Sequence, residues 1–522
     1  MLDAKKVILT LADNTTNTIT DSSRLSTEED YSAAIYSKED LIINGNGTLN
    51  VNAGYRNGIK STDDCIIVSG TLNITSTEDG IIGKDLCGIV AGDININAGS
   101  DGVKSTYDTD TTKGNVIIEG GNITIKASND GIQAENILVI NDGTINIKTN
   151  NGAADTTQTH IDNMDMGRGG FGFNNNKTTT TTDDTSESRK GIKAGNMLII
   201  NDGDITIDSD DDSVHCNSVI YIYGGTINAA TGDDGVHADD LLTVNGGTIN
   251  ITQCYEGLEA DDIVINDGDI SVVSSDDGIN SSDGSITING GNLLINASGD
   301  GLDANGSIII NGGYIVVLGP TSDGDTAIDY DDSCTINGGT VMAFGSSGML
   351  EIPKGASNGA CIVTAFTSVS GGSKYTLSDS NGNEILSYTP SKAYAAAIVY
   401  SDKITTGNTY NITAGSTTLS IEVTSDVTSN VSSGFGGAGG MNKPGNGGSG
   451  MPNNGSSDNG MGNGNSNGSM PDMLGNGAPD MNGNSSGDMP SMGGNSSNNG
   501  GNMPNMNNGS SNGSAPQMNN RM

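Results

Sequence analysis

"TGDDGVHADDLLTVNGGTINI", residues 231–251, holds in 21 residues the pattern that recurs along most of the chain. Three short apolar stretches, "GVHA", "LLTV" and "TINI", are separated by turn residues. "TINI" alternates polar with apolar residues, so its isoleucines point inward and Thr and Asn outward. Asn-Gly and Asp-Gly pairs supply the positive-φ positions that sharp corners need.

Variants of "NGGTINI" recur with their second glycine at Gly47, Gly70, Gly92, Gly121, Gly143, Gly203, Gly225, Gly247, Gly268, Gly291, Gly313 and Gly339. The spacing is mostly 21–23 residues. A second element, "DGVKS", "DGIQA", "DGVHA", "EGLEA", "DGINS" and "DGLDA", keeps the same period. Helical periodicity is absent. One unit cannot bury its apolar face, but a stack can. The expected fold is therefore all-β, a parallel β-helix with about 22 residues per rung. Some dozen rungs, about 4.8 Å apart, make a rod on the order of 55 Å long.

Two longer intervals mark insertions beside the "DGIxA" strand, one near 105–112 and a larger one at about 150–188. The predicted organisation is a β-helix over 1–345, a C-terminal β cap over 346–430 and a disordered tail over 431–522. The tail is Gly, Asn, Ser, Met and Pro and cannot bury a core.

The chain carries 63 Asp+Glu against 22 Lys+Arg, a net charge of −41. Such a balance repels nucleic acid and anionic membranes and favours cations or polymers bridged by cations. No apolar run approaches the roughly 18 residues of a spanning helix. The start, "MLDAKKVILTLADNTTN", lacks the features of a signal peptide. None of the six cysteines forms a CxxC pair, so packed free thiols are expected.

Stacking the "DGIxA" strands lines up columns. The first reads Asp79, Asp101, Asp130, Lys190, Asp212, Asp234, Glu256, Asp277 and Asp300. The outward position three residues on reads Lys60, Ile82, Lys104, Gln133, Lys193, His215, His237, Glu259, Asn280 and Asp303. At ~5 Å, bare like charges cost about 1 kcal/mol per pair even in water. Oxygen ligands this dense suit Ca²⁺, which takes 6–8 oxygens at ~2.3–2.6 Å. The candidate ligands are Asp211, Asp212, Asp233, Asp234, Asp239, Glu256, Glu259, Asp261, Asp276, Asp277, Asp300 and Asp303. The competing explanation for the first column is Asx-type turn chemistry before glycine. Lys104, Lys193 and His237 are the weaker catalytic candidates, as bases or as partners of a substrate carboxylate. His215 and His237, one rung apart, suit a proton shuttle, a transition metal or simple surface hydrogen bonding.

"AAIYSKEDLIINGNGTLNVNAGYRNGIKSTDDCIIVSGTLNIT" (33–75), "GNVIIEGGNITIKASNDGIQAE" (114–135), "GDDGVHADDLLTVNGGTINIT" (232–252) and "TLSDSNGNEILSYTPSK" (376–392) closely resemble bacterial carbohydrate-binding-domain-containing proteins. The resemblance covers roughly 5–425. It implies a right-handed parallel β-helix similar to pectate lyases, bound calcium, an extracellular or cell-surface setting, and binding to plant-type polysaccharide such as cellulose or pectin (polygalacturonate). It also implies a secretion signal and further β-structure ahead of "KVILTLADNTTNTITD" (6–21), so an N-terminal truncation is expected.

The leading expectation is a monomeric, calcium-dependent polysaccharide-binding protein. Trp is absent and aromatics are 4%, so stacking on neutral sugars is weak beyond a small platform from Tyr221, Tyr223 and Tyr255. The alternatives are a pectate-lyase-type enzyme and a non-catalytic adhesin or spacer. A lyase needs a base and benefits from an arginine, yet Arg56, Arg168 and Arg189 are the only arginines between 50 and 200.

Overall fold

The computed structural model describes residues 4–22, 31–153 and 188–431. Arg168, most of the larger insertion and the tail beyond 431 lie outside the described residues. Every regular element among them is a β-strand.

Each repeat folds into one turn with three short strands. The unit at 231–251 illustrates the path, although two of its strands fuse into Val236–Val244. The "DG" strand leads into the "LLTV" strand, a glycine corner follows, and the "TINI" strand closes the turn. Thirteen "TINI" strands, from Thr16–Asp21 to Thr340–Gly345, pair in parallel to build one face. The other two faces are joined into one sheet because Val236–Val244 and Leu258–Ile265 run through both. The result is a parallel β-solenoid.

Register is direct, residue on equivalent residue. On the "LLTV" face the inward column runs Ile118, Ile140, Ile200, Ile222, Val244 and Ile265, all fully buried. On the "TINI" face Ile205, Ile227, Ile249 and Ile270 stack in the same way. Stacked β-branched side chains fill the interior, each set against its copies above and below. Cys65 lies on Cys87 within this core, and both thiols are free.

The two kinds of glycine serve different ends. In the "NGG" corner the second glycine has positive φ, as at Gly247 (89°), where a Cβ is strained. So do the Asp-Gly glycines of the "NDG" corners, Gly143, Gly203 and Gly268, but the glycine that opens the "DGVHA" strand does not. A Cβ on Gly235 would lie 2.5 Å from the carbonyl oxygen of Gly257 on the next rung and would also strike Ile251. This position is glycine for close approach between rungs, which corrects the positive-φ assignment for the "DGIxA" strands alone. The corner asparagines add a side-chain ladder, Asn337 to Asn311 to Asn289 to Asn266 to Asn245, with bonds of 2.8–3.0 Å.

One rung departs from the rule. Ser213 occupies the Asp-Gly glycine position, fully buried, with its Oγ 3.2 Å from Ser209 Oγ. Its Cβ is tolerated because the isoleucine that crowds this glycine on neighbouring rungs, Ile207 or Ile251, is Ala229 in the equivalent place.

At the far end Tyr394–Ser401 pairs antiparallel with Thr340–Gly345, so the last "TINI" edge is covered. Ala360–Val369 extends this sheet, and a separate antiparallel sheet holds Tyr375–Asp379, Glu384–Tyr388, Thr409–Ala414 and Thr417–Glu422. This part also lies over the outside of the last two rungs. Val316, Leu318, Met342 and Phe344 join Tyr375, Leu377, Tyr394 and Val399 in a second core.

Ala229→Ile should overfill the Ser213 rung and destabilise the protein by about 1–3 kcal/mol. Ser213→Gly in the same chain should restore most of that loss in urea unfolding. Additive effects of the two changes would contradict the packing account.

Candidate functional site

The "DG" face brings the predicted outward column together in order. Lys104, Gln133, Lys193, His215, His237, Glu259, Asn280 and Asp303 are consecutive register partners. The acidic column stands behind it.

The column has a structural role. The backbone amide of Asp130 donates to Asp101 Oδ1 at 3.0 Å. Asp234 N donates to Asp212 Oδ1 at 3.1 Å, Glu256 N to Asp234 Oδ1 at 3.2 Å, and Asp300 N to Asp277 Oδ1 at 2.6 Å. Each carboxylate thus holds the next rung through one oxygen, in place of a local turn bond. The other oxygen, Oδ2, is left to meet whatever neutralises the charge.

In the N-terminal half that neutralisation is built in. Lys104 Nζ lies 2.6 Å from Asp101 Oδ2, so this candidate base is committed to an ion pair. Lys193 donates to Ser188 Oγ at 3.1 Å. Lys190 interrupts the acidic column and reaches Asp212 Oδ2 at 2.5 Å and Asp211 Oδ1 at 2.9 Å. Burial disfavours charge on both Lys190 and Asp212. The pair overcomes it, holding Asp212 well below the carboxylate range and raising Lys190. Asp233 beside them is pushed up to about 8 by burial and by Asp212, Asp234 and Asp211.

His237 sits at the junction. Its Nδ1 is 3.2 Å from Asp234 Oδ2 and 3.2 Å from Glu259 Oε2. Burial opposes its charge, but Asp234, Asp212 and Glu259 outweigh that and raise it to about 10. It is a cation at neutral pH in the metal-free protein, not a free base.

The C-terminal half differs. Asp277, Asp300 and Asp303 each place a carboxylate oxygen within 4.8 Å of the others. Among the described residues no Lys, Arg or His forms an ion pair with any of them. Burial, then Asp303 and Asp276, pushes Asp277 up to about 8. Burial, only partly offset by the Thr326 amide, pushes Asp300 up to about 9, with Asp277 adding to it. Glu256, whose Oε2 accepts from Asn280 Nδ2 at 2.8 Å, reaches about 10 through burial, Asp234 and Glu259. This end must hold protons or an external cation.

The other candidates fall around these centres. Asp276 flanks Asp277 and contributes to its raised pKa. Asp239 is peripheral, 3.7 Å from His237 Nε2. Asp261 turns to Ser282, whose Oγ donates to it at 3.1 Å. Tyr221 and Tyr223 stack at 6.3 Å on the "LLTV" side, while Tyr255 lies next to the acidic face, so the three form no common platform. The described arginines are engaged, Arg189 with Asp210 at 2.7 Å and Arg56 with Glu78 at 3.6 Å. A cluster of Asp40, Asp63 and Asp64 was not anticipated, because a corner joins residues from two turns. Lys6 pairs with its Asp40, and Lys113 with the adjacent Asp85.

These shifts set a pH dependence. Asp277 and Asp300 hold protons in the fold above the usual 3.8, so folding takes up protons and stability falls as pH rises toward 8–9. His237 has the same sign, since its contribution is complete below 6.5 and lost through about 10. Chelator-treated protein should therefore melt at a higher temperature at pH 5 than at pH 9, and saturating Ca²⁺ should flatten the difference. Rising stability from pH 5 to 9 without metal would contradict this assignment.

Against this geometry, a family model described as carbohydrate-binding domain-containing protein matches residues 1–235 and 233–420. A carbohydrate-binding domain-containing protein of Acetivibrio thermocellus is 39% identical over 75 residues, 14% of this chain and 26% of that protein. The match thus spans about a quarter of that curated relative. No solved structure matches. With the family model covering most of the solenoid and cap, the chain belongs to the carbohydrate-binding domain-containing family.

Proposed function

We propose that the C-terminal half of the "DG" face binds calcium and, through it, the carboxylates of acidic polysaccharide, making this an extracellular calcium-dependent polysaccharide-binding protein. The observation that carries the reading is the Asp277, Asp300 and Asp303 cluster, three carboxylates brought together with no basic side chain of the described residues paired to them. An all-oxygen set with spare lone pairs suits Ca²⁺, whose coordination number leaves positions for a ligand outside the protein. Asp277, Asp300 and Asp303 would hold the ion, and the ion would supply positive charge on a face that otherwise repels uronate.

Family membership supports carbohydrate as the partner class. The chain's charge of −41 favours acidic sugar polymers only where a cation bridges them. Binding needs no general base, which accords with Lys104 and His237 being held in ion pairs.

Polygalacturonate should retain the protein in Ca²⁺ and release it in EDTA. Asp277→Asn with Asp300→Asn should weaken retention at least tenfold, about 1.4 kcal/mol. Asp63→Asn, in the separate cluster, should leave it unchanged. Equal retention with and without calcium would overturn the bridging reading, and accumulation of unsaturated product would replace it with a lyase.

A further inference from the structure

We propose that His215, His237 and Asp212 hold a divalent transition ion of the zinc class, at a site separate from the all-oxygen cluster. One ring nitrogen each of His215 and His237 and a carboxylate oxygen of Asp212 all lie within 4.8 Å of one another. Asp212 Oδ2 is 2.8 Å from His215 Nδ1 and 3.8 Å from His237 Nδ1. Asp234 and Glu259, each 3.2 Å from His237 Nδ1, offer further oxygens.

An independent observation points to a ligand. His215 is 8% exposed, and its Nδ1 is buried without a hydrogen-bond partner. The approach to Asp212 Oδ2 is close, but it lacks the direction of an N–H···O bond. On the other side of the ring, Nε2 bonds Asn217 Oδ1 at 2.9 Å. Since that oxygen only accepts, Nε2 donates to it, which leaves Nδ1 turned toward the Asp212 carboxylate. A buried ring nitrogen without a hydrogen-bond partner and a carboxylate oxygen thus face each other at 2.8 Å, an arrangement that a shared cation satisfies. A ring nitrogen fixed by an acceptor behind it is the usual arrangement of a metal-bound histidine.

Charge and donor type select the ion. Asp212, Asp234 and Glu259 face the site, and Lys190 on Asp212 cancels only one of their charges. The surplus suits a dication. Two imidazole nitrogens with carboxylates favour zinc-like ions over Ca²⁺, which prefers oxygen alone. Lys190 anchors Asp212 from behind, as bound carboxylates are commonly held. This inference does not depend on the calcium reading.

Tag-free, EDTA-treated full-length protein titrated with Co²⁺ should show visible absorption saturating near one equivalent, and Zn²⁺ should bleach it. His215→Asn and His237→Asn should each weaken binding by about 100-fold, and Asn217→Ala by about tenfold, within the range known for such partners. Asp277→Asn should leave the affinity unchanged, and a thousandfold excess of Ca²⁺ should not displace the ion. Should His215→Asn fail to fold, His237→Asn decides: its metal-free melting temperature falls with the loss of the ion pairs to Asp234 and Glu259, and its metal-induced shift is lost while the chain still unfolds cooperatively. Displacement by equimolar Ca²⁺, or unchanged binding in His237→Asn, would overturn the site.

Discussion

Parallel, in-register stacking sets each residue directly on its counterpart one rung away, and the rest of the molecule follows from that constraint. An apolar position becomes a continuous inner column, such as Ile118 to Ile265. An acidic position becomes a column of like charge. The same geometry that fills the core thus creates an electrostatic problem on the "DG" face that must be solved rung by rung.

Two solutions occur along one face. Toward the N-terminus Lys104 and Lys190 enter the pattern and neutralise Asp101, Asp211 and Asp212 from within. Toward the C-terminus Glu256, Asp277, Asp300 and Asp303 have no ion-pair partner among the described residues, and burial pushes them toward protonation. His215 and His237 stand at the change-over. The rung of His215 is also where core packing departs from its rule, with Ser213 and Ala229 replacing the usual glycine and isoleucine. Local departures from an otherwise consistent pattern are where functional sites are expected.

The solenoid was readable because its period is nearly constant, and a constant period fixes which residues share a column. The order Lys104, Gln133, Lys193, His215, His237, Glu259 followed from counting alone. Three features did not. Which group an Asp oxygen serves depends on side-chain torsion, so spacing offers a local turn bond and charge stacking as alternatives, whereas the carboxylates bond the next rung's amide and stack their charge at once. The Asp40, Asp63 and Asp64 cluster depends on how a corner folds, which spacing does not encode. The cap's packing over the outer face did leave a trace: "YIVVL" and "TVMAF" lose the alternation of "TINI", because both of their sides are buried.

The central claim is that the unpaired carboxylates of the C-terminal half are a cation site. Crystals grown in Ca²⁺ and measured at a wavelength where calcium scatters anomalously test it most directly. The account predicts an anomalous peak enclosed by Asp277, Asp300 and Asp303, absent from crystals soaked in EDTA. Fully ordered carboxylates with no peak, hydrogen-bonded to one another through shared protons, would contradict it.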